Sequence, residues 1–260
     1  MSKLFFTVTL AACCLIGSLL QAQGGYVIVD YMKIKPSMND KYLECEKVWK
    51  LIHQERKRLG KIEGWHLEQM LWPTGTNTEY DYLTATFVKS WDDIGHIWDN
   101  WENDLKVLSA DQRAIAGKAG EYRDLVKSEI WLEVDFLAKA DFKETNYVVE
   151  NFFNVPAGGW DNYMEMETRF VKPVHQKNIA KGNRSGWVLT RLMAPSGEEL
   201  PYNCSTVDLY DKWEDMDNDD GKAWEEVYPG MSDSHIGDRI NSARKLVRTE
   251  IRQVIDSTSL

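Results

Sequence analysis

Two histidine–glutamine pairs are the side chains of this sequence whose type and spacing best suit acid–base chemistry. His53-Gln54 and His175-Gln176 lie 122 residues apart, each late in a predicted helix and one step from its apolar stripe. A neutral imidazole at the edge of a pocket can act as a general base or as a metal ligand. We therefore predict that His53 and His175 are candidate catalytic and ligand-binding residues. The alternative is that both pack against or cap the flank of the helix.

A second recurring pair, Asp30 and Asn151, lies in the middle of two predicted strands. These strands are the apolar segments Tyr26–Ile34 and Tyr147–Val155. A polar side chain at such a position either contacts a bound molecule or, as the alternative, ties the strand to a helix, because buried polar groups generally find partners. We predict that Asp30 and Asn151 join the two histidines as candidate catalytic and ligand-binding residues.

These pairs recur because a long segment of the chain occurs twice. After a shift of 122 positions, nine of the 31 residues in the segment 64–94 are identical to their counterparts. A period near 120 residues is typical of a duplicated domain and too long for a solenoid repeat. We predict a signal peptide at residues 1–22, a first repeat at 23–140 and a second repeat at 141–260.

The predicted elements of each repeat follow the order β-α-β-β-α-β. Alternating and β-branched segments predict strands, and apolar residues at helical spacing predict helices. The first repeat contains strand Tyr26–Ile34, a helix from Asn39 to near Gly60, hairpin strands Gly64–Trp72 and Tyr80–Lys89, a helical region capped by Ser90 and running towards Lys127, and strand Ser128–Phe136. After a linker at Leu137–Thr145, the second contains strand Tyr147–Val155, helix Asp161–Ala180, a hairpin within Gly186–Asp211, a helix from Trp213 and strand Thr249–Asp256.

This order is that of the ferredoxin-like unit, in which four antiparallel strands carry both helices on one face. The other face of the sheet is bare and must be covered, and two such units in one chain can cover each other. We therefore predict an α+β fold in which two tandem ferredoxin-like repeats form an intrachain pseudo-dimeric α/β barrel.

Alternation along the strands predicts which residues face the barrel interior. We assign the more apolar sets to the helix side, namely Trp65 and Leu67 on the second strand and Leu83, Ala85 and Phe87 on the third, with their counterparts in the second repeat. The interior then receives the mixed sets, which include His66, Glu68, Tyr82, Thr84, Thr86, Cys204, Glu129, Trp131, Glu133, Glu250 and Arg252. A one-residue bulge would invert such an assignment.

Three short motifs carry a resemblance to a known superfamily. The Gly64-Trp65 strand opening, the Pro73-Thr74-Gly75 turn and the helix start Ser90-Trp91-Asp92-Asp93 resemble the dimeric α/β-barrel superfamily, which includes cofactor-free antibiotic-biosynthesis monooxygenases and haem-degrading monooxygenases. The resemblance covers nearly the whole chain after residue 22, as a fused pair. Val149-Glu150-Asn151-Phe152 also looks like the first-strand segment of the haem-degrading enzymes, whose asparagine contacts substrate together with a Trp and a His.

The resemblance implies a pocket between sheet and helices, the usual place in this superfamily. It implies that Asn151, His175, His53 and Asp30 bind a small apolar or aromatic molecule. If the protein is an enzyme, the resemblance implies a cofactor-independent monooxygenase-like activity. No cofactor is expected, although the resemblance allows haem. The alternative is a non-catalytic binding or structural module, in which duplication only fused an ancestral dimer. A monomeric pseudo-dimer or a higher homo-oligomer is expected.

The composition argues against several partners. The chain has 31 Lys and Arg against 41 Asp and Glu, a formal charge of −10, which repels nucleic acid and anionic lipid. No zinc-ligand spacing surrounds the remaining histidines. The acidic run at 215–219 lacks the glycine that an EF-hand loop requires at its sixth place, which is Asp220 here. We therefore predict no metal site.

The first 22 residues have the pattern of a secretory signal peptide. Lys3 precedes an apolar run at 4–20, and Leu20-Gln21-Ala22 predicts cleavage after Ala22 and a secreted, periplasmic protein without stable membrane insertion. Leu10-Ala11-Ala12-Cys13 leaves a lipid-anchored alternative open. Cleavage leaves only Cys45 and Cys204, which we predict to be separate buried thiols.

Overall fold

Eight antiparallel strands close into one barrel in the computed structural model, which describes residues 24–217 and 220–258. The predicted signal peptide lies outside the described residues. The strands are β1 (Tyr26–Ile34), β2 (Gly64–Trp72), β3 (Tyr82–Val88), β4 (Arg123–Ala138), β5 (Tyr147–Asn154), β6 (Gly186–Ala194), β7 (Cys204–Tyr210) and β8 (Lys245–Ser257). Their order around the barrel is β1-β3-β2-β8-β5-β7-β6-β4.

Helices pack on the outside of this barrel. They are α1 (Asn39–Arg58), α2 (Trp91–His96), α3 (Trp101–Asp104), α4 (Ala110–Ala116), α5 (Ala119–Tyr122), α6 (Trp160–Glu165), α7 (Lys172–Lys181), α8 (Asp220–Val227) and α9 (Asp233–Ala243). A π-helical segment, Met166–Val171, joins α6 to α7, and short 3-10 segments lie at Leu105–Val107 and Trp213–Asp217. In residues 24–217 and 220–258, no helix has the length and hydrophobicity needed to span a bilayer.

The long helix of each half ends at an equivalent glycine. Gly60 follows α1 with φ 72°, and Gly182 follows α7 with φ 80°. This left-handed conformation is open to glycine at little cost, so the chain can turn back towards the sheet there. The result places His53 and His175 over equivalent strands, β2 and β6.

Two seams join the strands of the first half to those of the second. β2 pairs with β8, for example Gln69 with Gln253, and β4 pairs with β6, for example Leu132 with Arg191. The four-stranded sheets of the two halves therefore face each other across a shared interior. This arrangement covers the sheet face that the helices leave bare.

Several predicted elements are confirmed, but the last strand of each half is longer than predicted. β2 has the predicted bounds, and Ser90 and Asp93 form the capping box that starts α2. β4 begins at Arg123 and β8 at Lys245, where we predicted Ser128 and Thr249. Residues 123–125 pair with β1 beyond a register shift between Tyr31 and Met32. This extension is largely exposed to solvent, so its sequence lacks the apolar alternation of a strand. For that reason we predicted it to be the end of a helix.

The predicted faces are right for β2 and wrong for β3 and β7. Trp65 pairs with Thr86 and Leu67 with Thr84, so these threonines share the helix side with the β2 residues. Cys204 is likewise on the helix side, in a cluster with Trp187. The interior of β3 and β7 is instead formed by Leu83, Ala85, Phe87, Ser205, Val207 and Leu209. Parity failed because both faces of these strands are buried, so hydrophobicity does not distinguish them.

The interior positions on the last strands are confirmed. Trp131, Glu133 and Arg252 line the central cavity, while Glu129 and Glu250 bond to other interior side chains. Cys45 and Cys204 are both buried and free, as predicted.

Candidate functional site: a cavity inside the barrel

His53 and His175 occupy equivalent places and stack on equivalent tryptophans. The His53 ring lies 5.0 Å from that of Trp65 at an interplanar angle of 9°, and His175 lies 4.8 Å from Trp187 at 20°. Burial lowers the pKa of His53 to about 3, and burial followed by the charges of nearby arginines lowers the pKa of His175 well below its ordinary value. Both imidazoles are therefore neutral at neutral pH, enclosed between helix and sheet.

Asp30 and Asn151 tie strand to strand. Ser128 donates a hydrogen bond to Asp30 across β1 and β4, and Thr249 donates one of 2.7 Å to Asn151 across β5 and β8. The alternative predicted a helix residue as the partner of Asp30 and Asn151. These hydrogen bonds instead come from residues of neighbouring strands. Burial raises the pKa of Asp30, and the Ser128 hydrogen bond opposes that rise.

Two of the four predicted residues, Asn151 and His175, share a neighbouring side chain. In the second half, Asp208 lies between Asn151, whose amide is 3.5 Å away, and His175, whose Nδ1 is 3.7 Å away. Arg184 also contacts Nδ1 of His175. None of the four predicted residues lines any cavity described below, and side chains occupy the space around the two histidines.

The principal cavity lies inside the barrel and has a volume of about 570 Å³. All eight strands and the linker contribute to its lining. Its wall is largely apolar and includes Val27, Ala85, Phe87, Trp131, Val188 and Leu209. The exposed side chains of Glu63 and Lys89 mark its mouth, beside the linker residues Phe142 to Thr145.

The deep end of the cavity holds one guanidinium surrounded by carboxylates. Arg252 donates to Glu68 (2.8 Å), Glu250 (3.0 Å) and Glu150 (2.6 Å). Burial disfavours the charged guanidinium, but the carboxylates outweigh it and hold the pKa of Arg252 well above its ordinary value. Burial raises the pKa of Glu150, while Arg252 and Ser205, which donates a hydrogen bond of 2.6 Å, oppose that rise.

Tyrosines and charged side chains close the end of the barrel that lies opposite the mouth of the cavity. Tyr31 and Tyr202 donate hydrogen bonds of 2.9 and 2.7 Å to the two oxygens of Glu129. Tyr80 donates to Glu250, and Arg248 lies 3.0 Å from the same carboxylate. The interior is thus filled at one end and hollow at the other.

His66 and Glu144 face each other at the mouth of the cavity. Nε2 of His66 lies 3.8 Å from Oε1 of Glu144, too far for a hydrogen bond. That oxygen is buried and has no hydrogen-bond partner within the described part of the chain. Burial lowers the pKa of His66, so its ring is neutral at neutral pH. A ligand group that donates a hydrogen bond could satisfy the Glu144 oxygen.

Strand alternation placed His66 in the barrel interior, but its pairing with Glu144 could not be predicted from residue spacing along the chain. Glu144 belongs to the linker and reaches His66 only once the two halves close the barrel. A usable signal was present in the comparison of the repeats: Val29 corresponds to Glu150, Glu68 to Thr190 and Trp131 to Arg252. All six of these residues line the cavity. These three pairs have diverged between the halves, whereas the histidine–tryptophan stacks on the helix side are the same in both.

No three His, Cys, Asp or Glu side chains converge as metal ligands would within residues 24–217 and 220–258. Part of the acidic run that approaches an EF-hand loop, residues 218 and 219, lies outside the described residues.

Comparisons with known proteins identify the fold. No sequence-family model matches the chain, and a search of curated proteins gives no match. Among solved structures, an anthrone oxidase-like protein is similar with TM-score 0.50 and 13% identity, a haem-binding protein from Thermus thermophilus with 0.51 and 12%, and a chlorite dismutase variant from Candidatus Nitrospira defluvii with 0.54 and 11%. Each comparison covers 90% of this chain and 92% of the other. The chain therefore shares the dimeric α/β-barrel fold with these proteins.

Proposed function

We propose that this chain binds a small, largely apolar or aromatic molecule inside its barrel. The observation that carries the proposal is the cavity of about 570 Å³, which has apolar walls and a charged deep end. An eight-stranded barrel is just wide enough for side chains to fill it, or to hold one small ligand. Here Tyr31, Tyr80 and Tyr202 fill one end, and the other end stays open.

The divergence between the halves supports this site. We infer that residues 23–140 and 141–260 are two ferredoxin-like repeats that act as an intrachain pseudo-dimer. The stacks of His53 on Trp65 and of His175 on Trp187 are equivalent, which suits a shared structural role. Three pairs of the cavity lining instead differ in charge or polarity, which suits a single asymmetric ligand: Val29 and Glu150, Glu68 and Thr190, and Trp131 and Arg252. We therefore propose that the ligand site lies in the barrel interior and not between sheet and helices, where the sequence predicted it.

Binding of an uncharged aromatic probe tests this proposal. Calorimetry with 1-naphthalenemethanol should show saturable binding to the wild-type chain. Ala85→Leu adds bulk to the cavity wall and should weaken binding by about tenfold or more. The matched control Ala114→Leu makes the same change on an exposed face of α4 and should bind as the wild type does. Equal binding by both variants would place the site elsewhere.

A cofactor-independent monooxygenase-like activity is the catalytic form of this proposal. The observation that favours it is the neutral His66 beside the unpartnered Glu144 oxygen, an arrangement able to accept a proton from a bound substrate. With anthrone, the proton would pass to Nε2 of His66, and the carbanion would reduce O₂, giving anthraquinone and water overall. Oxygen uptake with anthrone, lost in His66→Gln, tests this step. Binding without uptake would favour the non-catalytic binding module.

One of the similar structures is a haem-binding protein, so haem is a ligand to consider. It fits the predicted helix-side residues poorly. Each candidate histidine lies flat on an indole, and Arg184 contacts Nδ1 of His175. No cavity described above adjoins either ring. Neither His53 nor His175 is therefore placed to ligate a haem in the barrel cavity. A Soret-band shift abolished by His175→Ala would overturn this assignment and return the site to the helix side.

We also propose that the chain acts in the periplasm after cleavage following Ala22. The support is the sequence pattern of residues 1–22. Amino-terminal sequencing of the exported protein should begin at Gln23. A lipid-modified Cys13 at the amino terminus would establish the anchored alternative.

A further inference from the structure

The barrel cavity has an excess of carboxylates that its own cations do not balance. Inside the mouth, the lining contains Glu68, Glu133, Glu144 and Glu150, against the single guanidinium of Arg252. Each of the three nitrogens of Arg252 already donates to a carboxylate. At the rim, Lys89 is paired with Glu63 at 3.0 Å, and the exposed Lys143 is a further cation of the lining. Beyond this rim, a ligand meets more carboxylate acceptors than charged donors.

Two of these carboxylates have acceptor capacity left for a ligand. Oε1 of Glu144 is buried without a hydrogen bond in the part of the chain that the structure describes. Glu68 is 5% exposed, and Arg252 donates to its Oε2 alone. A buried carboxylate oxygen without a donor is costly, so a donor supplied by the ligand would stabilise Glu144, and Glu68 could accept a second hydrogen bond beside that of Arg252.

The aromatic part of the wall suits the same kind of ligand. Phe87, Trp131, Phe136 and Phe142 line the cavity together with aliphatic side chains. Ring faces bind flat apolar bodies and also attract a cation within about 6 Å of the ring centroid. A ligand that combines an apolar body with an ammonium group would use the rings and the carboxylates together.

We propose that the ligand of this cavity is an amphiphilic amine, with an aromatic or aliphatic body in the apolar wall and its ammonium group among the lining carboxylates. This inference rests on the proposed function, since it names the class of molecule that the same cavity takes. A carboxylate ligand of equal size is disfavoured, because it would add negative charge where negative charge is already in excess. No covalent step is involved.

Three probes with one naphthalene body test the inference. At pH 7, calorimetry should show that 1-naphthylmethylamine binds at least about tenfold more tightly than 1-naphthalenemethanol, and that 1-naphthoate binds more weakly than the alcohol. Glu144→Gln should reduce the affinity for the amine by about threefold to tenfold and that for the alcohol by a smaller factor, because only the amine loses an opposite charge. The control Glu102→Gln, at an exposed position of α3, should leave both unchanged.

The outcomes separate this inference from the proposed function. If the alcohol binds and Ala85→Leu weakens it, but the amine binds no better, the cavity is the site and the amine assignment is wrong. Tighter binding of the naphthoate would also overturn the amine assignment. If none of the three probes binds the wild-type chain, the proposed function itself fails. Binding of the alcohol to each variant shows that the variant is folded.

Discussion

Tyr202, in the second half of the chain, donates a hydrogen bond of 2.7 Å to Glu129 in the first half. The equivalent Tyr80 donates in the opposite direction, from the first half to Glu250 in the second. Lys127 and Arg248 occupy equivalent places beside these pairs, 3.5 and 3.0 Å from Glu129 and Glu250. The closed end of the barrel is therefore held by a crosswise pair of contacts between the two halves.

Removal of the Tyr202 hydroxyl should weaken the whole barrel. Because the hydroxyl is a buried donor to a carboxylate, Tyr202→Phe should lower the free energy of unfolding by about 1–3 kcal/mol. Urea unfolding followed by circular dichroism measures this change. Tyr147→Phe is the matched control, since no hydrogen bond involves that hydroxyl in the described residues, and it should change stability little. Equal effects in both variants would contradict a joining role for Tyr202.

The buried carboxyl of Glu46 should make stability depend on pH. Burial raises the pKa of Glu46 to about 7, with Arg123 and Tyr42 opposing the rise, from an ordinary value of 4.5. Since the folded-state pKa is the higher one, the stability that this carboxyl contributes is fully present below pH 4.5 and is lost as the pH rises through 7. Glu46→Gln should therefore become more stable relative to the wild type by about 1.4 kcal/mol per pH unit across that window.

Denaturant unfolding between pH 4.5 and 7 measures that difference. Glu44→Gln, at an exposed place on the same helix, provides the control and should show no such trend. A wild-type minus Glu46→Gln difference that is constant with pH would show that Glu46 is ionised in the folded chain throughout.

His53 should give the opposite trend. Burial lowers its pKa to about 3 from 6.5, so the neutral ring is favoured in the folded state and stability is lost as the pH falls from 6.5 towards 3. His53→Phe keeps an aromatic ring against Trp65 and cannot be protonated. Its stability relative to the wild type should therefore rise by about 1.4 kcal/mol for each pH unit below 6.5. Nuclear magnetic resonance should also show no titration of the His53 ring above pH 4; titration near 6.5 would refute its enclosure.

Much of the fold could be predicted because the chain repeats itself. The strands Gly64–Trp72 and Tyr26–Ile34 have the predicted bounds, and the turn Pro73-Thr74-Gly75 has the counterpart Pro195-Ser196-Gly197. Which residues of β3 face the barrel interior could not be predicted, because Thr84 and Thr86 pack under helices while Ala85 faces an apolar cavity. In a barrel with helices outside, both faces of a strand are buried, and a polar threonine does not identify the interior.

The site could be predicted less well than the fold. His53 and His175 attracted attention because they recur, yet recurrence is what a shared structural contact also produces. Several residues that line the cavity, such as Glu68 and its counterpart Thr190, differ between the repeats, so a search for matched pairs does not find them. His66 and Glu144 are 78 residues apart in the chain and meet only through the closure of the barrel. Such a contact depends on the path of the linker, which no local pattern specifies.

The position of a bound probe tests the central claim most directly. Crystals of the wild-type chain grown with 4-bromo-1-naphthalenemethanol should show a bromine anomalous peak inside the barrel, against the wall formed by Ala85 and Trp131. A peak between β6 and α7, beside His175, or no ordered peak despite saturable binding in solution, would contradict a ligand site in the barrel interior.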